Sequence, residues 1–206
     1  WGRKFLPSNG SSVYIDAHHL EVNTPECISP AGYVAAWHAM LRIADQARVS
    51  VNQQLKPGLS IEVMANTSDR KSHSFGSHLN IALTRQAWTS LFEGARLLWL
   101  SSYHVSSIMF TGAGKVGSEN GKPWAPFQLA ERADFFGQLT TLDTTIPNRG
   151  VVNQRDESMT GRNHDLARYH CIFHESNLQD IAAYLKAGIL SLVLLMLEAG
   201  EVDLTA

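Results

Sequence analysis

Apolar residues recur at helical spacing in three parts of the chain, after Pro30, over 86–103 and over 178–199. Proline is favoured in the first turn of a helix, so Pro30 marks the start of the first. Its predicted apolar stripe comprises Val34, Trp37, Met40, Leu41 and Ala44. This spacing brings one face of a helix against a core, so the pattern predicts three helices.

Short runs of β-forming residues predict strands between and before these helices. They lie at 11–22, 59–63, 77–83, 151–155 and 169–173, and residues 126–137 alternate loosely as an antiparallel strand would. Period-two alternation in the first run places Tyr14 and Asp16 on one face. Strands and helices do not alternate regularly, so the expected fold class is α+β.

Composition narrows the class of protein. The chain has 206 residues, 44% of them hydrophobic and 17% charged, which is enough for one folded domain. Its net charge of −2 gives no reason to expect a nucleic-acid partner. The longest apolar run, Ile189 to Leu197, is too short to span a bilayer, so no membrane partner is expected. Two cysteines, Cys27 and Cys171, fit a reducing cytoplasm, which is the expected location.

A first polar cluster lies at the end of the first predicted strand. Tyr14, Asp16, His18, His19 and Glu21 fall within eight residues. Magnesium prefers hard oxygen ligands, so one carboxylate could bind metal while the other handles water. An exposed strand end with ordinary polar residues explains the same pattern.

Three further clusters carry polar residues that could bind a ligand. Gly76–Asn80 places a glycine beside His78, where backbone could approach a phosphate or metal. Arg155 lies in a charged run, and its forked guanidinium suits a phosphate or carboxylate. His170 and His174, on either side of Cys171, allow a zinc site, although structural zinc sites usually have more cysteines. A surface turn, a solvated loop and chance spacing are the simpler alternatives.

Six motifs, in order, resemble those of one enzyme family. They are NGSSVYIDAHHLE at 9–21, GSHLN at 76–80, TGAGKVG at 111–117, ERADFF at 131–136, NQRDE at 153–157 and YLKAG at 184–188. This order is similar to that of the Pup ligase and Pup deamidase/depupylase family, which is related to glutamine synthetase. The five-residue step from Asp16 to Glu21 is closer to the depupylase branch.

The resemblance implies a glutamine-synthetase-like fold, with a curved antiparallel sheet and helices packed on one side. It implies that residues 1–206 form one partial catalytic domain, whose N-terminal strand and C-terminal small domain lie outside this sequence. The implied activity is ATP- and Mg²⁺-dependent hydrolysis of a C-terminal glutamine amide of Pup, or of Pup–lysine isopeptide bonds. Its partners would be Pup and pupylated proteins. A Pup–protein ligase and a catalytically impaired, Pup-binding relative are the alternatives.

The resemblance also assigns roles to single residues. Asp16 stands at the catalytic aspartate, where it would activate water or attack the carbonyl carbon. The other positions are Tyr14 and Glu21 for magnesium, His78 for metal or phosphate, Thr24 for nucleotide, and Arg155 for phosphate or the glutamate of Pup.

The sequence departs from the family pattern at three of these motif positions. Ser12 stands where the family has a nucleotide-binding arginine, Leu79 replaces a glutamate, and Leu20 replaces a proline. A lost charge-assisted phosphate contact is worth about 1.5–3 kcal/mol, so weaker nucleotide binding is expected.

Overall fold

The computed structural model describes residues 2–157 and 165–202. The chain divides into two compact units, Trp1–Ala65 and Asn66–Ala206. Each unit contains both helices and strands, and the expected α+β class is confirmed. The expectation of one partial catalytic domain over 1–206 stays a prediction.

The first unit is a small antiparallel sheet followed by a long helix. Strands β1 (Lys4–Phe5), β2 (Ser12–Asp16) and β3 (His19–Asn23) pair in the order β1-β2-β3. Helix α1 (Pro30–Asn52) begins where predicted. The Ser29 hydroxyl accepts a hydrogen bond from the Gly32 backbone N–H at 3.0 Å and caps it.

The predicted strand at 59–63 is wrong, because this segment has no strand partner among the described residues. Instead, the side chain of Asn52, at the end of α1, binds the backbone of Ile61. Asn52 accepts from the Ile61 N–H at 2.8 Å and donates to its carbonyl at 3.0 Å. A side-chain amide therefore takes the place of a neighbouring strand.

The second unit contains the remaining elements. In chain order they are β4 (Leu79–Thr84), α2 (Arg85–Ser90), α3 (Ala95–Thr111), β5 (Lys115–Val116), β6 (Phe127–Gln128), a 3₁₀ turn (Ala133–Phe135), β7 (Phe136–Thr141), β8 (Arg149–Asn153), β9 (Leu166–Cys171) and α4 (Asp180–Ala199). The described strands pair as β4–β9 and β5–β6, both antiparallel, and as β7–β8, which is parallel.

Two predictions for this unit are corrected. The helix expected over 86–103 is broken into α2 and α3, since Gly94 has a φ of +54° that a continuing helix cannot accept. Residues 126–137 are not one antiparallel strand: they form β6, the 3₁₀ turn and the start of β7. The 3₁₀ turn interrupts the extended chain there and buries Phe135.

Helices α3 and α4 supply much of the core of the second unit. Leu100 of α3 and Leu190 of α4 are fully buried, as is Tyr169 of β9. By length and composition α4 could cross a membrane, a test that core helices of soluble proteins also pass. One face of α4 is buried and carries Lys186, whereas Ile181 on the other is 74% exposed.

Candidate active site

The β2–β3 hairpin places its polar residues on one face. Directly opposite pairs are Ser12 with Asn23, Tyr14 with Glu21, and Asp16 with His19. Opposite residues of an antiparallel pair point to the same side, as do residues two apart along one strand. The face therefore unites three residues that the sequence assigned to catalysis and magnesium. They are Tyr14, Asp16 and Glu21.

Tyr14 and Glu21 are linked directly across the hairpin. The Tyr14 phenol donates a hydrogen bond to the Glu21 carboxylate. Partial burial, and then this carboxylate, raise the pKa of Tyr14, so the phenol keeps its proton. The Arg3 guanidinium lies 4.2 Å from the centre of the Tyr14 ring and adds a positive charge beside the face.

Asp16 is exposed at the end of β2, beside a tight turn. The turn residues Ala17 and His18 have φ values of +42° and +71°. Such values suit a two-residue hairpin but are uncommon for residues other than glycine, and strained turns often accompany functional sites. The turn ends the strand so that the Asp16 carboxylate faces solvent, where a substrate could reach it.

The oxygen atoms on this face are those that a magnesium ion selects. Two carboxylates, Asp16 and Glu21, and the Tyr14 phenol share one side of the hairpin. Hard cations bind carboxylate and other oxygen ligands and keep several waters. These three side chains offer only oxygen atoms, which suits a hard cation such as magnesium.

The two candidate nucleotide positions of the hairpin differ in exposure. Ser12 is buried, and its hydroxyl accepts a hydrogen bond from the Asn23 side-chain amide at 3.0 Å. Thr24 directly follows β3 and is partly exposed. Ser12, which replaces the family's arginine, is therefore buried and hydrogen-bonded within the hairpin.

His78 lies in the second unit, just before β4. Its ring meets that of His170 edge-on, with centroids 5.3 Å apart. Gly76 leaves no room for a side chain, because a Cβ there would lie 2.6 Å from His78 Nε2 and 2.7 Å from the Arg132 guanidinium. Leu79, which replaces the family's glutamate, is buried in the core.

Arg155 also lies in the second unit, two residues after the end of β8. Its guanidinium pairs with Glu157 at 2.8 Å and its side chain is 42% exposed. Its backbone N–H donates to the side chain of Asn153 at 3.0 Å, which fixes the turn. A bound phosphate would compete with Glu157 for this arginine.

The predicted site residues therefore form two groups. Tyr14, Asp16, Glu21 and Thr24 belong to the first unit, and His78 and Arg155 to the second. The expectation that His78 joins the hairpin residues around one concavity stays a prediction, as do all six assigned roles.

Sequence reasoning missed a buried ionic cluster in the second unit. The Lys115 ammonium lies 2.6 Å from the Asp134 carboxylate and 3.2 Å from that of Glu119. Burial acts to raise the pKa of Asp134, but the bonds from Lys115, the Glu119 N–H and the Gln128 amide together lower it. Lys115 and Asp134 belong to two of the resembling motifs, so those motifs contribute packing as well as any chemistry.

A second missed feature holds the loop after β9 in place. The Arg132 guanidinium donates to the carbonyl oxygens of Ile172, Phe173 and His174. The Glu175 carboxylate accepts from the Arg132 N–H at 2.6 Å. Burial lowers the pKa of Arg132 to about 9. A buried arginine that binds successive carbonyls could not be foreseen from a charged motif, because its partners lie about forty residues away.

Known proteins are similar to this chain in sequence along nearly its whole length. Residues 3–205 match the family model of the Pup-ligase protein family. The chain is 35% identical over 199 residues to a Pup deamidase/depupylase of Mycolicibacterium smegmatis and 36% identical over 194 residues to a depupylase of Acidothermus cellulolyticus. It covers only 38% and 37% of those proteins, although the matches take in 96% and 94% of this chain. A Pup–protein ligase of Kocuria rhizophila is 31% identical over 218 residues.

The fold is also similar to that of a solved enzyme. The Pup ligase PafA in complex with ADP superposes with a TM-score of 0.76 at 25% identity, over 97% of this chain and 43% of that one. A complex between Pup and PafA gives 0.66 at 24% identity. These likenesses confirm the expected glutamine-synthetase-like fold class, with the parallel β7–β8 pair as a local exception to the antiparallel pattern.

Proposed function

Because the chain belongs to the Pup-ligase protein family, we propose that it is part of an ATP- and Mg²⁺-dependent amidohydrolase that acts on Pup. Its reaction would remove the amide of a C-terminal glutamine or cleave the isopeptide bond between Pup and a lysine. Pup and pupylated proteins would be its partners, in the cytoplasm. The observation that carries the proposal is the shared face of Tyr14, Asp16 and Glu21.

The relatives support the hydrolase over the ligase. Identities to the depupylases are 34–36%, against 29–32% for the Pup–protein ligases. The hairpin supports the same choice, since its two-residue turn keeps Asp16 and Glu21 five positions apart, the step that resembles the depupylase branch.

In the proposed reaction, Asp16 supplies the carboxylate that activates the attacking nucleophile. Its exposure at the strand end lets it reach a scissile carbonyl and accept a proton from water. The Tyr14 phenol, held by Glu21, stays protonated and keeps the second carboxylate in a fixed orientation. The hairpin register therefore places the proposed base on the same face as the two proposed magnesium-binding residues.

In the first unit, Tyr14 and Glu21 would hold the magnesium ion and Thr24 would contact the nucleotide. In the second unit, His78 would contact a metal or phosphate, and Arg155 would bind a phosphate or the glutamate of Pup. When bound, the ion would supply positive charge that polarises the carbonyl oxygen as negative charge develops there. Arg3 adds a cation from the chain itself on the same side as Tyr14.

Three assays on the intact natural protein that carries this chain test the proposal. Pup ending in glutamine measures deamidation, a pupylated protein measures isopeptide cleavage, and Pup ending in glutamate with a target protein measures ligation. We expect deamidation or cleavage that requires Mg²⁺ and a nucleotide. Ligation without hydrolysis would replace the proposal with the ligase function.

A catalytically impaired, Pup-binding protein is a second candidate, favoured by Ser12 and Leu79. Both residues are buried, so the two departures from the family pattern are built into the packing. A buried serine cannot provide the phosphate contact of an arginine, and a buried leucine has no carboxylate to take the place of the glutamate. Binding of Pup, with no turnover in any of the three assays, would establish this alternative.

A further inference from the structure

Three potential metal ligands meet in the interior of the second unit, and the family resemblance assigns none of them a role. His104 lies on α3, Cys171 ends β9, and His174 lies in the loop that follows. One ring nitrogen of each histidine and the Cys171 sulfur all lie within 4.8 Å of one another. The three residues are at most 2% exposed.

The separations are close to those of a zinc site. Zinc–sulfur and zinc–nitrogen bonds of about 2.3 Å and 2.0–2.1 Å at a tetrahedral angle place the two ligand atoms about 3.6 Å apart. Cys171 Sγ and His174 Nδ1 are 3.5 Å apart. The other separations are at most 4.8 Å, so these ligand atoms need to approach one another by no more than about 1–1.5 Å to reach tetrahedral distances.

Hydrogen bonding fixes the tautomer of His174 in the form that binds metal. The Ser107 hydroxyl donates its single proton to the His104 carbonyl at 2.7 Å. Its oxygen can therefore only accept from His174 Nε2, which lies 3.3 Å away. The Nε2 atom carries the proton, and Nδ1 presents a lone pair toward Cys171. A ligating histidine usually has this kind of support on its other nitrogen.

The two ring nitrogens of His104 differ in their hydrogen bonding. Its Nε2 atom is hydrogen-bonded to the Tyr169 hydroxyl, whereas its buried Nδ1 atom has no hydrogen-bond partner within residues 2–157 and 165–202. Buried polar atoms without a partner are rare in folded proteins, and some of them prove to be ligands of an ion. Coordination by a metal would satisfy such a nitrogen.

The surrounding structure gives the cluster rigidity and an access route. Arg132 binds the carbonyls of Ile172, Phe173 and His174, so it sets the path of the loop between the cysteine and the second histidine. His174 also lines a cavity of about 170 Å³, through which an ion could enter.

We propose that His104, Cys171 and His174 bind Zn²⁺, with a small fourth ligand such as water, and that the ion ties β9 to α3. Binding converts the Cys171 thiol to a thiolate and releases its proton to solvent. None of these residues takes part in the β2–β3 hairpin chemistry, so the site stands or falls independently of the proposed hydrolase function.

The test uses the intact natural protein, stripped with a chelator and titrated with Zn²⁺ against a chromophoric competitor. We expect one tightly bound ion, and an affinity loss of at least about tenfold in Cys171→Ser, His104→Gln and His174→Gln. The matched controls Cys27→Ser and His170→Gln should bind like wild type, since Cys27 is exposed and His170 lies outside the cluster. No stoichiometric binding, or equal binding in Cys171→Ser, would overturn the proposal.

Cobalt substitution keeps the test decisive if a ligand variant fails to fold. Co²⁺ bound by a thiolate gives a charge-transfer absorption band that oxygen and nitrogen ligands alone do not give. We expect this band in wild type and in Cys27→Ser. Its absence from wild type, or its loss in Cys27→Ser, would contradict coordination by Cys171.

Discussion

The β2–β3 hairpin and the interior of the second unit both contain clustered polar residues, but those of the hairpin include an exposed carboxylate and those of the interior are buried. The hairpin leaves Asp16 exposed at a strand end. The second unit buries Lys115 and Asp134 almost completely and pairs them at 2.6 Å. Exposed polar groups are available for chemistry, whereas buried charges are tolerated only with partners. Motif residues of one family therefore divide between an exposed hairpin face, where the catalytic role is proposed, and a packed interior.

The largest expected effect comes from breaking the buried ion pair. Lys115→Met leaves the carboxylates of Asp134 and Glu119 without their ammonium partner, and should lower the free energy of unfolding by about 3–5 kcal/mol. Urea unfolding of wild type and variant measures this loss of stability. Arg48→Gln is the control, because its pair with Asp45 is on the surface and should not shift the urea midpoint. A similar midpoint in both variants would remove the distinction between the two regions.

The next effect depends on pH and concerns Lys186. This ammonium donates to the Ser77 hydroxyl and the Glu175 carbonyl, and burial lowers its pKa from 10.5 to about 8. Between these values the unfolded chain binds more protons, so wild-type stability rises with pH there. Relative to Lys186→Met, wild type should gain up to about 3 kcal/mol from pH 8 to pH 10.5. A constant difference across that range would show that burial does not penalise this charge.

A smaller effect is expected inside the hairpin. Ser12→Arg restores the residue type of the family pattern, but Ser12 is 3% exposed and bonded to Asn23. A large cation there should destabilise the protein by about 1–3 kcal/mol and give no gain in nucleotide affinity. Ile15→Arg, at a 55% exposed position of the same strand, is the matched control. Tighter nucleotide binding by Ser12→Arg, measured by calorimetry, would show that the position can still serve a phosphate.

Local patterns predicted the features that depend on neighbouring residues. Period-two alternation placed Tyr14 and Asp16 on one face, as the hairpin register confirms. Pro30 marked the start of α1. The break at Gly94 was missed, because the apolar spacing on both sides continues as if the helix were unbroken.

Features that depend on distant partners could not be predicted in this way. The strand expected at 59–63 has suitable residues, but whether it pairs depends on the rest of the sheet, and Asn52 binds its backbone instead. The zinc hypothesis at His170 and His174 included only one histidine of the cluster, His174. The other histidine of the cluster is His104 of α3, which is distant in sequence. Contacts of this kind arise from tertiary packing, which spacing along one segment does not report.

The proposed chemistry of the exposed hairpin depends on the carboxylate of Asp16. It is tested by Asp16→Asn in the intact natural protein, with activity and stability measured on the same samples. Asparagine keeps the shape of the side chain but cannot act as a carboxylate base. Loss of a general base typically lowers the rate about 10²–10⁴-fold. Because Asp16 is exposed, the urea midpoint should not change.

The decisive measurement is the rate of release of Pup from a pupylated protein by wild type and Asp16→Asn, alongside urea unfolding of both. We expect a rate lower by at least about 100-fold in the variant, with the same unfolding midpoint. Cleavage at the wild-type rate by Asp16→Asn would contradict a catalytic hairpin and assign the reaction to another residue.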